Sequence, residues 1–322
     1  MKTRAVAVLG CGSIGQRHIG NLLQLGREVV AFDPSPSARA ATGIKHGIAV
    51  YDDLNDVWGT KPELALICTP SNMHLALASE AARHSCHLFI EKPLAHTLDD
   101  VENLHQLVDS AGLVNMVACN MRFHPGPATI KRWLDEGRIG ELISARIQTG
   151  SYLPRWRPQQ DYQESYSASL LWGGAVLDCI HELDLALWLL GPATLHAAVV
   201  LPAHSISLHT DGLAEILLRH RGGVVSNVHL NFVQRNYRRS IQVIGTEGTI
   251  EWDFTAASVD LYGPDGNLVE RIAQDPAWQV NQMYVDELSH LLGCIATGQQ
   301  TCNPIATAAQ TLRLALTIRE VA

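Results

Sequence analysis

No apolar run in the 322-residue chain approaches the roughly 20 residues that a helix needs to cross a bilayer, so a membrane span is not expected. Nor does the start carry positive charge leading into an apolar stretch, and the protein is expected to be soluble and unexported. Positive charge is in deficit, with 24 Lys and Arg against 32 Asp and Glu and a net charge of −8. That balance does not suit a nucleic-acid binder, which needs a basic face to neutralise phosphates. The seven cysteines, at 11, 68, 86, 119, 179, 294 and 302, are odd in number and contain no Cys-x-x-Cys pair. They form neither a zinc nor a disulfide framework, and a reducing cytoplasm is the compartment expected. Fifteen histidines include no HExxH, so no metal site is expected.

What is present is apolar bulk. Hydrophobic residues make up 47% of the chain and charged residues 17%, enough for sizeable cores, and the length favours two domains. In the first third, strand-like runs at 4–10, 28–33, 64–70, 87–93 and 113–120 alternate with helical segments at 14–25, 35–46, 72–84 and 97–111. Continuous apolar strands separated by helices predict a parallel sheet covered on both faces, a doubly wound α/β domain. Beyond residue 120 come a helix at 124–136, an alternating strand at 141–150, a long loop at 151–172 and an apolar helix at 176–190. Seven short strands between 194 and 272 then predict a large, open, mostly antiparallel sheet, followed by helices at 279–297 and 304–320. The expected division is 1–120, a Rossmann domain for the nucleotide, and 121–322, an α+β domain for substrate and assembly. The C-terminal helices are placed in the second, with packing back onto the first left open.

"VLGCGSIGQRHIGNLL" sets Gly10, Gly12 and Gly15 between the first strand and the first helix. The first glycine permits a tight turn, the second admits a pyrophosphate against the backbone, and the third packs helix on strand. Ser13 and Ile14 open the helix whose N-terminus favours anions. Asp33 closes the second strand, where a carboxylate accepts hydrogen bonds from ribose hydroxyls and repels a 2′-phosphate. NAD is therefore expected over NADP, with Ser35 and Arg39 close enough to leave NADP open. "ICTPSNMH" ends another strand at the same sheet edge. Thr69 and Pro70 are expected against the cofactor, and His74 either reaches toward cofactor or substrate or serves as a cap.

"LFIEKPLAH" puts Glu91 and Lys92 at the exit of a buried strand, with a proline forcing Lys92 out of helical conformation. Together with "NMRFHPG" (120–126), "GRIGEL" (137–142) and "GGAVLDCIHELDLALWLLG" (173–191), these motifs run in an order that resembles the Gfo/Idh/MocA oxidoreductases, named for glucose-fructose oxidoreductase and inositol dehydrogenase. The resemblance covers about the first 190 residues. It implies a Lys92 beside the nicotinamide, often followed by a cis peptide, that hydrogen-bonds the substrate oxygen, and a Glu91 that orients it. It implies that His181 takes or returns the hydroxyl proton, as a group titrating near neutrality does. Asp178 and Asp184, each three residues from His181, are expected on its helix face. The family pattern has three residues between aspartate and histidine; here there are two, which weakens the case for Asp178. Asn120 is expected near the nicotinamide and Arg122 near the substrate.

The loop at 151–174 holds Arg155, Trp156, Arg157 and Tyr162, expected to wall the substrate pocket, the aromatics stacking on a sugar ring and the arginines pairing with an anion. Acidic, phosphate-bearing or nucleotide-linked sugars are therefore expected ahead of neutral polyols. The activity expected is interconversion of a hydroxyl and a carbonyl on a sugar or polyol by an NAD-dependent homodimer or homotetramer. Two rivals stand beside it: an NAD-dependent glycoside hydrolase using transient oxidation, and a non-catalytic dinucleotide sensor.

Overall fold

The computed structural model describes residues 4–156, 158–159 and 161–321. The chain divides into two compact units, Met1–Asn120 with Val280–Gln310, and Met121–Gln279 with Thr311–Ala322.

The first unit carries six strands, β1 (Val6–Leu9), β2 (Val29–Phe32), β3 (Ala49–Tyr51), β4 (Leu64–Ile67), β5 (His87–Ile90) and β6 (Asn115–Val117). All pair in parallel, in the order β3-β2-β1-β4-β5-β6. Every residue of β1, β2 and β4 is buried, as strands covered on both faces must be. The connecting helices are α1 (Ser13–Gln24), α2 (Pro36–His46), α3 (Leu54–Gly59), α4 (His74–Arg83) and α5 (Val101–Ser110). Local chemistry sets the ends of α2: Ser35 caps its start, Pro36 supplies the fixed first φ, and Gly47 closes it in the left-handed region at φ 66°. The strand β3 and the helix α3, capped by Asp53, were not expected; three and six residues are too few to show a hydrophobic period. Helix α5 starts four residues later than position 97.

The second unit is built on eight strands: β7 (Leu142–Tyr152), β8 (Ala193–Pro202), β9 (Asp211–His220), β10 (Val225–Asn231), β11 (Val233–Gly245), β12 (Thr249–Asp253), β13 (Ser258–Tyr262) and β14 (Leu268–Ala273). Their order is β14-β13-β12-β11-β7-β10-β9-β8, antiparallel except for the β7–β10 pair. One face is apolar, with Ile147, Val228, Ile216, Ile241 and Trp252 buried. The helices α6 (Pro125–Asp135), α7 (Ala175–Asp178) and α8 (Ile180–Leu190) belong to this unit, with α6 and α8 packing on its sheet. The expected single helix over 176–190 is two, broken at Cys179, whose φ of −92° and ψ of 31° leave the helical region.

Two helices end the chain, α9 (Gln282–Thr297) and α10 (Ile305–Glu320). The first lies in the first unit, where Glu287 accepts the Cys119 N–H at 2.5 Å and Asn281 donates to Asn21 at 2.7 Å. The segment after it does the same, since Asn303 exchanges hydrogen bonds with Val117 at 2.8 and 3.0 Å. Among the described residues no helix is long and apolar enough to cross a membrane, and no group of three or more His, Cys, Asp and Glu side chains is arranged to hold a metal ion.

Candidate active site

In the first unit the glycine turn is shaped by steric necessity. Gly10 has φ +102°, and a Cβ there would stand 2.6 Å from the Cys68 carbonyl oxygen. A Cβ at Gly15 would collide with the Gly10 carbonyl, whereas Gly12 faces open space. Helix α1 begins without a side-chain cap and has no acidic residue in its first turn, which leaves its positive end for an anion. Asp33 turns its carboxylate onto this loop: Oδ2 accepts the Cys11 N–H at 2.8 Å and Oδ1 the Ser35 N–H at 2.9 Å. A carboxylate offers about four lone-pair sites, so acceptor capacity remains on both oxygens. Arg39 is committed elsewhere, to the Asp33 and Pro34 carbonyls at 3.0 and 2.9 Å and to Asp52 at 3.0 Å.

Two buried polar atoms at the carboxyl edge of this sheet, Thr69 Oγ1 after β4 and Asn120 Oδ1 after β6, have no hydrogen-bond partner among the described residues. Buried polar groups are nearly always satisfied, so an unsatisfied pair at the edge where ligands of open α/β sheets bind fits a bound molecule. Pro70 is exposed beside them. His74 is buried, with Nδ1 2.9 Å from the Pro93 carbonyl and Nε2 2.8 Å from that of Thr69. Both nitrogens thus face main chain, tying the loop after β4 to the loop after β5. Burial pushes the His74 pKa down, against the bonds to Thr69 and Pro93 and the charge of Glu91.

The peptide between Lys92 and Pro93 is cis. Glu91, buried at the end of β5, accepts the Lys92 N–H on Oε2 at 3.1 Å and lies 2.7 Å from His18 Nε2 through Oε1. Burial opposes its charge, but the hydrogen bond with His18 and the charge of the neighbouring Lys92 hold the carboxyl below the usual range. Lys92 itself is half-buried.

In the second unit, His181 is the second residue of α8 and half-buried. The break at Cys179 puts Asp178 at the end of α7 and His181 in the first turn of α8. Asp178 accepts the Ser167 hydroxyl at 2.5 Å. Asp184 is buried and accepts two bonds from Arg122, whose guanidinium lies 5.6 Å from the Trp188 ring. The structure commits these two expected site residues to each other.

Among its described residues the loop expected after residue 150 carries three 3₁₀ turns, Leu153–Arg155, Tyr162–Glu164 and Tyr166–Ala168. Trp156, Tyr162, Ser165, Tyr166, Ser167 and Asp178 line a cleft of about 470 Å³ including its mouth. Tyr162 donates to the Ile206 carbonyl at 2.9 Å, Ser165 to the Tyr162 carbonyl at 2.5 Å, and the Trp156 indole to Ser151 at 2.8 Å. Arg155 is exposed and sits 5.7 Å from the Tyr152 ring, not on the cleft wall. Arg157 lies outside the described residues.

Comparison with known proteins settles the kinship. The model of the Gfo/Idh/MocA oxidoreductase family with NAD-binding Rossmann fold matches residues 4–119, and that of the family's C-terminal domain matches residues 128–251. Inositol 2-dehydrogenase of Burkholderia vietnamiensis is 31% identical over 258 residues, 76% of this chain and 73% of that protein. The chain belongs to the Gfo/Idh/MocA oxidoreductase family. Levoglucosan dehydrogenase of Pseudarthrobacter phenanthrenivorans is 29% identical over 297 residues, 79% of this chain and 74% of its own. Among solved structures, levoglucosan dehydrogenase in complex with NADH and levoglucosan superposes with a TM-score of 0.88 at 22% identity, covering 99% of this chain and 96% of that one. The WlbA dehydrogenase from Bordetella pertussis, in complex with NADH and UDP-GlcNAcA, gives 0.81 at 21% identity, covering 100% and 98%. These likenesses establish the fold.

For this NAD-binding family member, the open approach at Gly12, the spare acceptor sites of Asp33 and the unsatisfied Thr69 and Asn120 atoms all fit a dinucleotide. Sequence reasoning missed three groups that shape the site. His18 holds Glu91. Asp211 accepts the Val176 N–H at 2.8 Å at the start of α7, close enough to Gly174 that a Cβ there would strike its carboxylate. Arg239 pairs at 2.7 Å with the fully buried Glu182, next to His181. Each contact joins residues at least 35 positions apart, so no local pattern reveals it.

Proposed function

We propose that this protein is an NAD-preferring dehydrogenase or reductase that interconverts a hydroxyl and a carbonyl on a neutral sugar or polyol. The observation that carries the reading is the anchored Glu91–Lys92 pair at the carboxyl end of β5, in a sheet whose neighbouring strand ends present the glycine turn, Asp33 and the unsatisfied Thr69 and Asn120 atoms. The named relatives, an inositol dehydrogenase and a levoglucosan dehydrogenase, support the substrate class.

Nicotinamide, when bound, supplies the acceptor for the hydride that leaves the substrate carbon. Asp33 binds the ribose hydroxyls, and the main chain at Gly12 and the start of α1 bind the phosphates. Lys92 hydrogen-bonds the reacting oxygen and stabilises the charge that develops on it. His181 accepts the hydroxyl proton in oxidation and returns it in reduction. Asp178, on the cleft wall, accepts hydrogen bonds from substrate hydroxyls. Arg39, tied to two carbonyls and Asp52, is not arranged to receive a 2′-phosphate, which supports NAD over NADP.

The outward face of the second unit's sheet is a groove lined by polar side chains such as Arg146, Gln148, His229 and Glu251, and the edge strand β8 exposes Val199 and Leu201. That surface supports a homodimer or homotetramer, read by sedimentation equilibrium. The seven cysteines form no disulfide among the described residues, which suits a reducing cytoplasm.

The test is steady-state turnover, followed by reduced-nicotinamide absorbance, with a panel of neutral sugars and polyols. Lys92→Met and His181→Ala should each lower kcat by roughly 10²-fold or more while NAD still binds, because positioned acid–base and oxyanion groups contribute that much. Substrate cleavage without net change in absorbance would instead assign the transient-oxidation hydrolase.

A further inference from the structure

We infer that His18 is a positioning residue for Lys92, acting through the Glu91 carboxylate. His18 lies in the second turn of α1 and is completely buried, with Nε2 2.7 Å from Glu91 Oε1. The other carboxylate oxygen receives the Lys92 N–H at 3.1 Å, and the Glu91 N–H donates to the Ile67 carbonyl at 3.0 Å. The carboxylate is thus a bridge with the imidazole at one end and the backbone of Lys92 at the other.

The proton on His18 has one sensible place. Nδ1 meets no acceptor among the described residues, and the ring is packed edge-on against Phe89 at 5.1 Å and Tyr284 at 6.1 Å. A proton on Nδ1 would be buried without an acceptor, and Nε2 would then turn a lone pair toward a carboxylate. The proton therefore sits on Nε2 and is donated to Glu91. Tyr284 is held over by the Arg17 guanidinium, 4.4 Å from its ring, which fixes the wall behind the imidazole.

A carboxylate this buried stays ionised only with donors and positive charge around it. The groups that bear on Glu91 are His18 from α1, Cys68 at the end of β4, His74 from α4, Lys92 on its own loop and Tyr284 from α9. His18 provides a close hydrogen bond to the carboxylate, at 2.7 Å. Removing it leaves Glu91 to take up a proton or turn away. Either outcome removes a negative charge beside Lys92 and loosens the loop that aims it.

This inference rests on Lys92 as the reacting lysine, and the experiment separates the two. His18→Leu and His18→Gln are made in the full chain, and kcat, KM and NAD affinity are measured across pH, beside Lys92→Met. His18→Leu is expected to lower kcat by roughly 10²-fold, with NAD affinity within about threefold of wild type, and to displace the pH profile of kcat. His18→Gln, which keeps an N–H within reach of Glu91, is expected to recover at least about tenfold of that loss. If His18→Leu does not fold, His18→Asn, too short to reach, should show the same loss in the wild type and almost none in a Glu91→Gln background. An inert Lys92→Met would remove the parent reading. An impaired Lys92→Met with His18→Leu unchanged in rate and profile, or losses that simply add with Glu91→Gln, would overturn the role of His18.

Discussion

The guanidinium of Arg122 and the carboxylate of Asp184 meet fork to fork, Nε 2.9 Å from Oδ2 and the second nitrogen 2.7 Å from Oδ1, with both side chains buried. A two-bond pair of this kind is geometrically specific, and a single survivor is costly. Arg122→Met should destabilise the protein by about 3–5 kcal/mol, because it strands a buried charge. Arg122→Met combined with Asp184→Leu should recover most of that loss. Urea unfolding curves measure both; a single-variant cost below about 1 kcal/mol would put the pair in the class of weak surface bridges.

At the other unit, Asp33→Ala should weaken NAD binding and narrow its advantage over NADP. The lost carboxylate both receives the ribose hydroxyls and repels a phosphate there. It also releases the Cys11 and Ser35 N–H groups, so some weakening comes from a looser glycine turn. The ratio of kcat/KM for the two cofactors decides; a wild type that already prefers NADP contradicts the ribose argument.

The cleft beside Asp178 should favour hydrogen-bond donors. Its Tyr162, Ser165 and Ser167 hydroxyls spend their hydrogens on protein acceptors, so what they can still offer a ligand is acceptor capacity, and no cation stands among its described lining residues. Neutral sugars and polyols should therefore exceed acid sugars in kcat/KM by roughly tenfold or more, the discrimination expected where buried groups go unmatched. Arg155→Ala should leave that preference in place. An acid-sugar preference that disappears in Arg157→Ala would reverse the conclusion.

Acid sensitivity should trace partly to His124. Its ring is packed among Trp252, Phe254 and Trp278, with Nδ1 accepting the Gly126 N–H at 3.0 Å. Burial first, and the Arg239 charge second, push its pKa from 6.5 down to about 4. The unfolded chain binds this proton more readily, so the stability from the neutral ring is complete above about pH 6.5 and is lost as pH falls through about 4. The total is about 3 kcal/mol by linkage. His124→Asn keeps an N-cap acceptor without the titration, and its unfolding free energy should change less between pH 7 and pH 4 than that of the wild type. Equal slopes would show that His124 is not the titrating group.

The sequence by itself determined whatever is local or periodic. Fully buried β1, β2 and β4 announce a sheet covered on both faces, and Gly10, Gly12 and Gly15 announce the turn that follows. The alternation along β9 and β10 announces a sheet with one wet face. Even the family order of motifs was legible without coordinates, since it depends only on residues near each other in the chain.

Tertiary structure decided which side chains meet. Asp184 stands three residues from His181, yet it binds Arg122, 62 positions away. Asp178 and His181 look like neighbours on one helix, but the backbone leaves the helix at Cys179 and places them on two. His18 and Glu91 are 73 positions apart and touch because parallel strands return each crossover to the same edge of the sheet. A buried charge needs a partner, and the chain supplies it from wherever the fold brings a donor, a choice that spacing along the sequence does not encode.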